Sequence, residues 1–167
     1  MAKLPAPFQR GFFMYEPLTP QELARVNLLA DIFTRIGDER MKDIGLYNHA
    51  LQVEAVGFRP WEDDNGGKWL AGVLVTPWFM NFLLLPTMPE QLQGADVASK
   101  RRVEMPCGEV VFTIGEVEEI GLYLASSLYS PMGRFDVHAM AVTNAWAAVD
   151  KFFKVPEVEE PGGPVKP

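Results

Sequence analysis

The sequence predicts an α+β fold, in which an antiparallel sheet of about five strands has an N-terminal and a C-terminal helix packed on one face. Apolar residues recur at helical spacing after residue 19 and again after residue 136. Between these two segments the period changes to the alternation that is typical of β-strands. A helix, a run of hairpin-connected strands and a second helix, in that order, indicate α+β architecture.

The first helix is predicted from the segment TPQE. Thr19 can cap the helix, Pro20 suits its first position, and Glu22 can reach back to the backbone amide of Thr19. Gly37 is expected to end the helix, and a short turn is expected at residues 38–42. The apolar stripe that should be buried comprises Leu23, Val26, Ala30, Phe33 and Ile36.

The centre of the sheet is predicted from residues 51–85. Residues 51–61 alternate as a half-buried strand does, and Asn65-Gly66 favours a hairpin turn after them. The returning strand, 68–76, is continuously apolar and should therefore be covered on both faces. Pro77 cannot donate to a sheet, so it marks a bend before a third strand at 79–85.

The rest of the chain is predicted to add a loop, two strands and a helix. The polar loop covers residues 87–101, and the strands cover 109–114 and 120–126. Asp136 is expected to cap the second helix. A basic cluster closes the loop and is interpreted as solvated: Lys100, Arg101 and Arg102.

A chain of 167 residues fits one domain with a substantial core. The prediction divides it into an irregular N-terminal arm (1–18), a single α+β domain (19–155) and a flexible tail rich in proline and glycine (156–167).

The net charge of -7 argues against a nucleic-acid partner. Residues 69–86 fall short of a membrane span, which needs about 20 largely apolar residues, and Pro77 interrupts them.

Cys107 is the one cysteine of the sequence, so it cannot form an internal disulfide. This fits a reducing compartment, and with no secretory signal at the N-terminus we expect a cytoplasmic protein.

A thiol-dependent enzyme or a metal carrier would need Cys107 near His49 or His138, yet no recognised motif or ligand spacing connects them. We therefore expect no cofactor, and keep this function as the alternative.

Three segments resemble the HybE/HupJ-type [NiFe]-hydrogenase assembly chaperones: VEAVGF (53–58), WLAGVLVTPWFMNFLLLP (69–86) and SSLYSPMGRF (126–135). The resemblance extends over about residues 20–150. It implies a cytoplasmic, non-enzymatic chaperone that binds precursors of the hydrogenase small or large subunit, including the twin-arginine signal peptide of the small subunit. Some members carry a fused rubredoxin domain, but this sequence lacks the paired C-x-x-C motifs that such an iron site requires. A structural subunit of a larger complex is a third reading.

Partner contacts are predicted where proline interrupts the apolar segments, because aromatic and methionine side chains form adaptable binding surfaces. Trp78, Met80 and Met132 flank such breaks and are expected to be incompletely enclosed. The predicted contact residues are Pro77, Trp78, Phe79, Met80, Pro131, Met132 and Phe135. Glu116, Glu118 and Glu119 are acidic candidates for attracting an arginine-containing peptide, although they would equally protect a sheet edge from aggregation.

Overall fold

The computed structural model of the protein describes residues 16–157. The predictions for residues 1–15 of the arm and for the tail from residue 158 lie outside the described residues. Within them, two α-helices flank six strands, one strand more than predicted. In chain order the elements are α1 (Pro20–Ile36), β1 (Glu54–Glu62), β2 (Lys68–Val75), β3 (Met80–Pro86), β4 (Lys100–Met105), β5 (Gly108–Val117), β6 (Gly121–Tyr129) and α2 (His138–Phe153).

The start of α1 confirms the predicted capping box. The Glu22 amide donates to Thr19 Oγ1 at 3.1 Å, and the Thr19 amide donates to Glu22 Oε1 at 2.9 Å. The helix ends at Ile36 with Gly37 as its C-cap, as predicted, and the short turn expected after it is a π-helical turn through Met41; Gly37 keeps a right-handed conformation rather than the left-handed one common in glycine caps. Gly37 also serves close packing: a Cβ there would lie 3.0 Å from the Trp78 ring.

The six strands form one antiparallel sheet in the order β1-β2-β3-β6-β5-β4. The fourth strand was missed because its sequence, KRRVEM, carries four charges and shows little apolar alternation. It lies at an edge of the sheet, where exposed charge costs little. The predicted loop therefore ends at Ser99, and the basic cluster Lys100, Arg101 and Arg102 belongs to β4.

The two helices pack on opposite faces of the sheet, so the prediction of a single covered face is wrong. Strands β2 and β3 are apolar at consecutive positions, and both of their faces therefore need cover. On one face α1 buries Val26, Leu29 and Phe33 against Leu70, Leu74 and Leu83. On the other face α2 buries Ala141, Ala145 and Val149 against Val73, Phe82 and Leu84.

The predicted hairpin between β1 and β2 is confirmed, and Asp63 organises its turn. Asp63 Oδ1 accepts hydrogen bonds from the amides of Asn65 (2.9 Å) and Gly67 (2.8 Å), while Oδ2 accepts from Trp69 Nε1 at 2.9 Å. Gly66 has φ +84°, a conformation that favours glycine. The turn and the first buried side chain of β2 are thus fixed together.

The start of α2 is held by His138, and the predicted cap at Asp136 is wrong. The N-cap position is Val137, which makes no side-chain capping bond. His138 Nδ1 accepts from the Gln52 amide at 3.3 Å, so its Nε2 carries the proton that is donated to Glu54 Oε1 at 2.9 Å. These two bonds attach the helix to the beginning of β1.

No helix in residues 16–157 is both long and apolar enough to span a membrane.

Candidate functional site

The bend at Pro77 is a tight hairpin turn between β2 and β3. The Thr76 amide donates to the Phe79 carbonyl at 2.8 Å, and Thr76 Oγ1 accepts from the amides of Trp78 (3.2 Å) and Phe79 (2.9 Å). Thr76 is completely buried, so these bonds are shielded from water. The turn therefore presents Trp78 and Phe79 from a rigid base.

Trp78 lies at the centre of an aromatic cluster. Its ring stacks on Tyr47 with centroids 6.0 Å apart and an interplanar angle of 20°. Phe79 meets the Trp78 ring edge-on at 5.5 Å, and Phe33 of α1 contacts both rings. Trp78, Tyr47 and Phe79 remain half-buried, so the cluster offers aromatic surface to solvent while α1 supports it from below.

Asn48 joins the two segments in which partner contacts were predicted. Its amide donates to the Pro77 carbonyl at 2.8 Å, and its side-chain Nδ2 donates to the carbonyls of Met132 (3.0 Å) and Phe135 (2.8 Å). Nothing in the local sequence YNH singles out this residue, because its partners lie 29 and more than 80 positions further along the chain. The structure thus brings the Pro77 bend and the 131–135 segment together.

Several of the predicted contact residues are core residues. Met80 and Met132 are both 0% exposed, and Phe135 and Pro77 are also buried. The expectation that Met80 and Met132 would be incompletely enclosed is therefore wrong. Their side chains join the core on the α2 side, where burying such a side chain stabilises the fold by roughly 1.5–3 kcal/mol.

The remaining predicted contacts lie beside a loop that the sequence did not point to. Pro131 is exposed and shares a groove with Leu46 and Tyr47. Leu46 is 61% exposed, a high value for a leucine. We name this region the bend surface; it comprises Leu46, Tyr47, Trp78, Phe79 and Pro131.

The acidic candidates lie at the end of β5 and in the turn between β5 and β6, against the C-terminal end of α1. Glu116, Glu118 and Glu119 are exposed, but Glu119 Oε1 accepts a hydrogen bond from Arg35 Nη2 at 2.8 Å. This bond and the attraction between the two charges raise the pKa of Arg35. Arg40 lines the same groove, so these carboxylates have basic neighbours in space, although no basic residue lies among them in the sequence.

Cys107 lies far from His138, one of the two histidines that could activate it. Its amide donates to the Phe152 carbonyl near the end of α2, whereas His138 is the first residue of that helix. At about 1.5 Å per residue these positions are about 20 Å apart. Burial also raises the pKa of the Cys107 thiol, which disfavours the nucleophilic thiolate. Residues 16–157 contain no group of three or more potential ligands placed to hold a metal ion.

A family model described as [NiFe]-hydrogenase assembly, chaperone, HybE matches residues 24–166. The chain is 40% identical over 134 residues to the hydrogenase expression/formation protein HupJ of Bradyrhizobium diazoefficiens, covering 80% of this chain and 75% of that protein. It is 41% identical over 131 residues to the probable rubredoxin HupJ of Rhodobacter capsulatus, covering 78% of this chain and 45% of that protein.

The fold also has a solved counterpart. The solution structure of HybE from Escherichia coli superposes with a TM-score of 0.55 at 18% sequence identity, covering 86% of each chain. At that identity the superposition shows a shared fold, while the family match extends over most of the sequence. The protein belongs to the HybE family of [NiFe]-hydrogenase assembly chaperones.

Proposed function

We propose that this protein binds hydrogenase subunit precursors in the cytoplasm, without catalysing a reaction, before the subunits are assembled and exported. The observation that carries the proposal is the family match over residues 24–166. The names of relatives such as HupJ, a hydrogenase expression/formation protein, agree with a role before the mature enzyme exists. The separation of Cys107 from His138 favours binding over thiol chemistry.

The bend surface is the proposed contact for an apolar part of the client. Trp78, Phe79 and Pro131 supply accessible apolar surface, and large aromatic side chains often dominate binding energy. The buried members of the predicted set hold this surface in place from beneath: Pro77, Met80, Met132 and Phe135. Substitutions at these buried positions should therefore affect client binding indirectly, by changing the shape of the turn and of the 131–135 segment.

The client we propose in particular is the small-subunit precursor with its twin-arginine signal peptide. Such a peptide combines basic and apolar residues. The end of α1 lies between the two surfaces that would receive them, since Gly37 contacts the Trp78 ring and Arg35 contacts Glu119. Glu116 and Glu118 are exposed carboxylates for the arginines, whereas Glu119 would have to exchange its bond with Arg35.

The test compares three clients on the immobilised, purified protein: the small-subunit precursor, the same subunit without its signal peptide, and the large-subunit precursor. We expect retention of the complete small-subunit precursor and a marked loss when the peptide is removed. Equal retention with and without the peptide would exclude signal recognition. No retention of any precursor would refute the proposed function.

A second measurement separates a chaperone from a structural subunit. A chaperone should leave the client once maturation is complete, so the protein should be absent from the purified mature hydrogenase. Stoichiometric co-purification with the mature enzyme would instead identify a permanent subunit.

A further inference from the structure

Strand β4 forms one edge of the sheet and pairs with β5 in an unbroken register, from Lys100 opposite Thr113 to Met105 opposite Gly108. Within residues 16–157 no strand pairs with its other side. An edge of this kind exposes a row of backbone donors and acceptors, which another extended segment can use for pairing.

The hydrogen bonds next to β4 show which residues direct their backbone groups outwards. The Ile114 amide donates to the Ser99 carbonyl at 2.9 Å, so Ile114 directs its backbone towards β4. The direction of the backbone N–H and C=O groups alternates along an antiparallel strand, so those of Phe112 and Val110 also point towards β4. The backbone groups of their partners, Arg101 and Val103, point towards β5. The outward N–H and C=O groups therefore belong to Lys100, Arg102 and Glu104.

The opposite edge of the sheet, β1, is built differently. A bulge interrupts its register between Val56 and Arg59, and Gly57 adopts φ +70° there. Pro60 follows and has no N–H to offer. The backbone of β1 thus discourages a further strand, whereas β4 has neither a bulge nor a proline.

Side chains give the β4 edge a local positive charge in a chain of net charge -7. Lys100, Arg101 and Arg102 are exposed and consecutive. Arg102 is loosely paired, with Nη1 3.6 Å from Glu109 Oε1 and both side chains more than half exposed. Beside it, Val111 of β5 is 48% exposed and offers apolar contact. Basic residues on an edge repel edges of like charge, but they attract an acidic segment.

We propose that the β4 edge binds an extended acidic polypeptide segment of a partner protein, which adds to the sheet as a seventh strand. Its backbone pairs with the outward groups of Lys100, Arg102 and Glu104, and its carboxylates lie against the basic side chains. A polypeptide is favoured because only its backbone repeats both the donors and the acceptors that this edge can pair with. The proposal is independent of the hydrogenase clients.

The probe is a fluorescent eight-residue peptide of alternating glutamate and threonine, titrated with the full chain at low salt and followed by anisotropy. A matched peptide with lysine in place of glutamate should not bind. A third peptide keeps every glutamate but is N-methylated on the residues that would donate to β4. It should bind at least about tenfold more weakly, the loss expected when hydrogen bonds worth about 1.4 kcal/mol in total are removed. Equal binding of the methylated peptide would overturn the proposal.

Two variants at Glu104 separate strand addition from charge attraction. Glu104→Gln removes a negative charge and should strengthen binding of the acidic peptide. Glu104→Pro removes the same charge together with an outward N–H. The hydrogen bonds between β4 and β5 are spared, because neighbouring residues of β4 make them. We expect Glu104→Pro to bind the acidic peptide more weakly than Glu104→Gln does. Equal affinity of the two variants would mean that the peptide is held by electrostatic attraction alone and would contradict strand addition.

Reversing the edge charge provides the remaining control. The double variant Lys100→Glu with Arg102→Glu should lose binding at least about tenfold, because these two side chains share a face of the strand and two attractions become repulsions. Thermal unfolding verifies that each variant is folded. If Glu104→Pro does not fold, the N-methylated peptide applies the same test to the unaltered protein.

Discussion

Asn48 connects the two segments that carry the bend surface. Its side chain donates to two carbonyls, those of Met132 and Phe135, while its backbone donates to Pro77. Asn48→Asp replaces the donor by an acceptor of similar shape, so a carboxylate would face two carbonyl oxygens. Leaving these groups unpaired in a half-buried site should lower the free energy of unfolding by about 1–3 kcal/mol.

Urea unfolding followed by tryptophan fluorescence measures this loss. Asn27→Asp is the matched control, since Asn27 is exposed on α1 and should tolerate the same change. If both variants unfold at the same urea concentration, Asn48 does not tie the two segments together.

Cys107 allows a pH experiment at the same scale. Burial raises the pKa of its thiol, so the proton is retained to higher pH and the reactive thiolate forms later than in an unfolded chain. The rate of alkylation by iodoacetamide should rise at higher pH in the folded protein than in urea. Steric shielding alone would lower the rate at every pH without displacing the profile. A displacement towards lower pH would indicate an activated thiol and revive the enzymatic alternative.

At the scale of elements, the features that could be predicted from the sequence are those that depend on neighbouring residues. The capping box of α1 and the turn around Asn65 and Gly66 were predictable because their partners lie within a few residues. The edge strand β4 was not predicted because its charges conceal it, and the close packing of Gly37 was not predicted because its partner is the distant Trp78. Opposite placement of the helices follows from the two apolar faces of β2, which the sequence does display.

The candidate site shows the same division. Pro77 marked the turn correctly, since a proline cannot continue the pairing of a central strand. Which neighbours of the turn face solvent depends on the sheet face to which each side chain is directed, and so Met80 is enclosed while Trp78 is not. Leu46 and Tyr47 contribute because the loop before β1 folds beside Pro131, a long-range contact that the local sequence does not predict.

Packing of β1 on β2 predicts a strong effect at Gly72. A Cβ at this position would lie 2.5 Å from the Phe58 ring and 2.7 Å from the Phe58 Cα, and the backbone atom cannot move aside without separating the strands. Gly72→Ala should therefore lower the free energy of unfolding by about 1–3 kcal/mol, the usual cost of overpacking.

Chemical denaturation of Gly72→Ala and Gly45→Ala makes the comparison. Nothing lies within 4 Å of a Cβ at Gly45, so that variant should be as stable as the parent. Equal stability of all three proteins would mean that β1 and β2 can separate at no cost.

At the scale of the whole molecule, different kinds of surface occupy different parts of one compact sheet. The bend surface is apolar and lies where Asn48 meets the segment leading into α2. The β5–β6 turn carries exposed carboxylates beside the end of α1. The β4 edge is basic. Because these surfaces are separate, the proposed client contact at the bend surface and the proposed contact at the β4 edge can each be tested by substitutions that leave the other unchanged.

The bend surface is tested by comparing an aspartate substitution at Leu46, one of its members, with the same substitution at Val155, far from it. Leu46 is 61% exposed and Val155 is 69% exposed, so aspartate at either position should leave the core and the thermal unfolding temperature nearly unchanged. Leu46→Asp places a charge in the apolar groove next to Tyr47 and Pro131, where a client side chain would desolvate it. Val155→Asp places the same charge beyond the far end of α2.

We expect Leu46→Asp to weaken binding of a hydrogenase precursor at least about tenfold, equivalent to about 1.4 kcal/mol, and Val155→Asp to change it little. Biolayer interferometry with immobilised precursor measures both affinities under one condition. An equal loss in the two variants would point to general charge repulsion, because each adds one negative charge to an acidic protein. Unchanged binding by Leu46→Asp would remove Leu46 and its groove from the client interface and require the contact to lie elsewhere on the molecule.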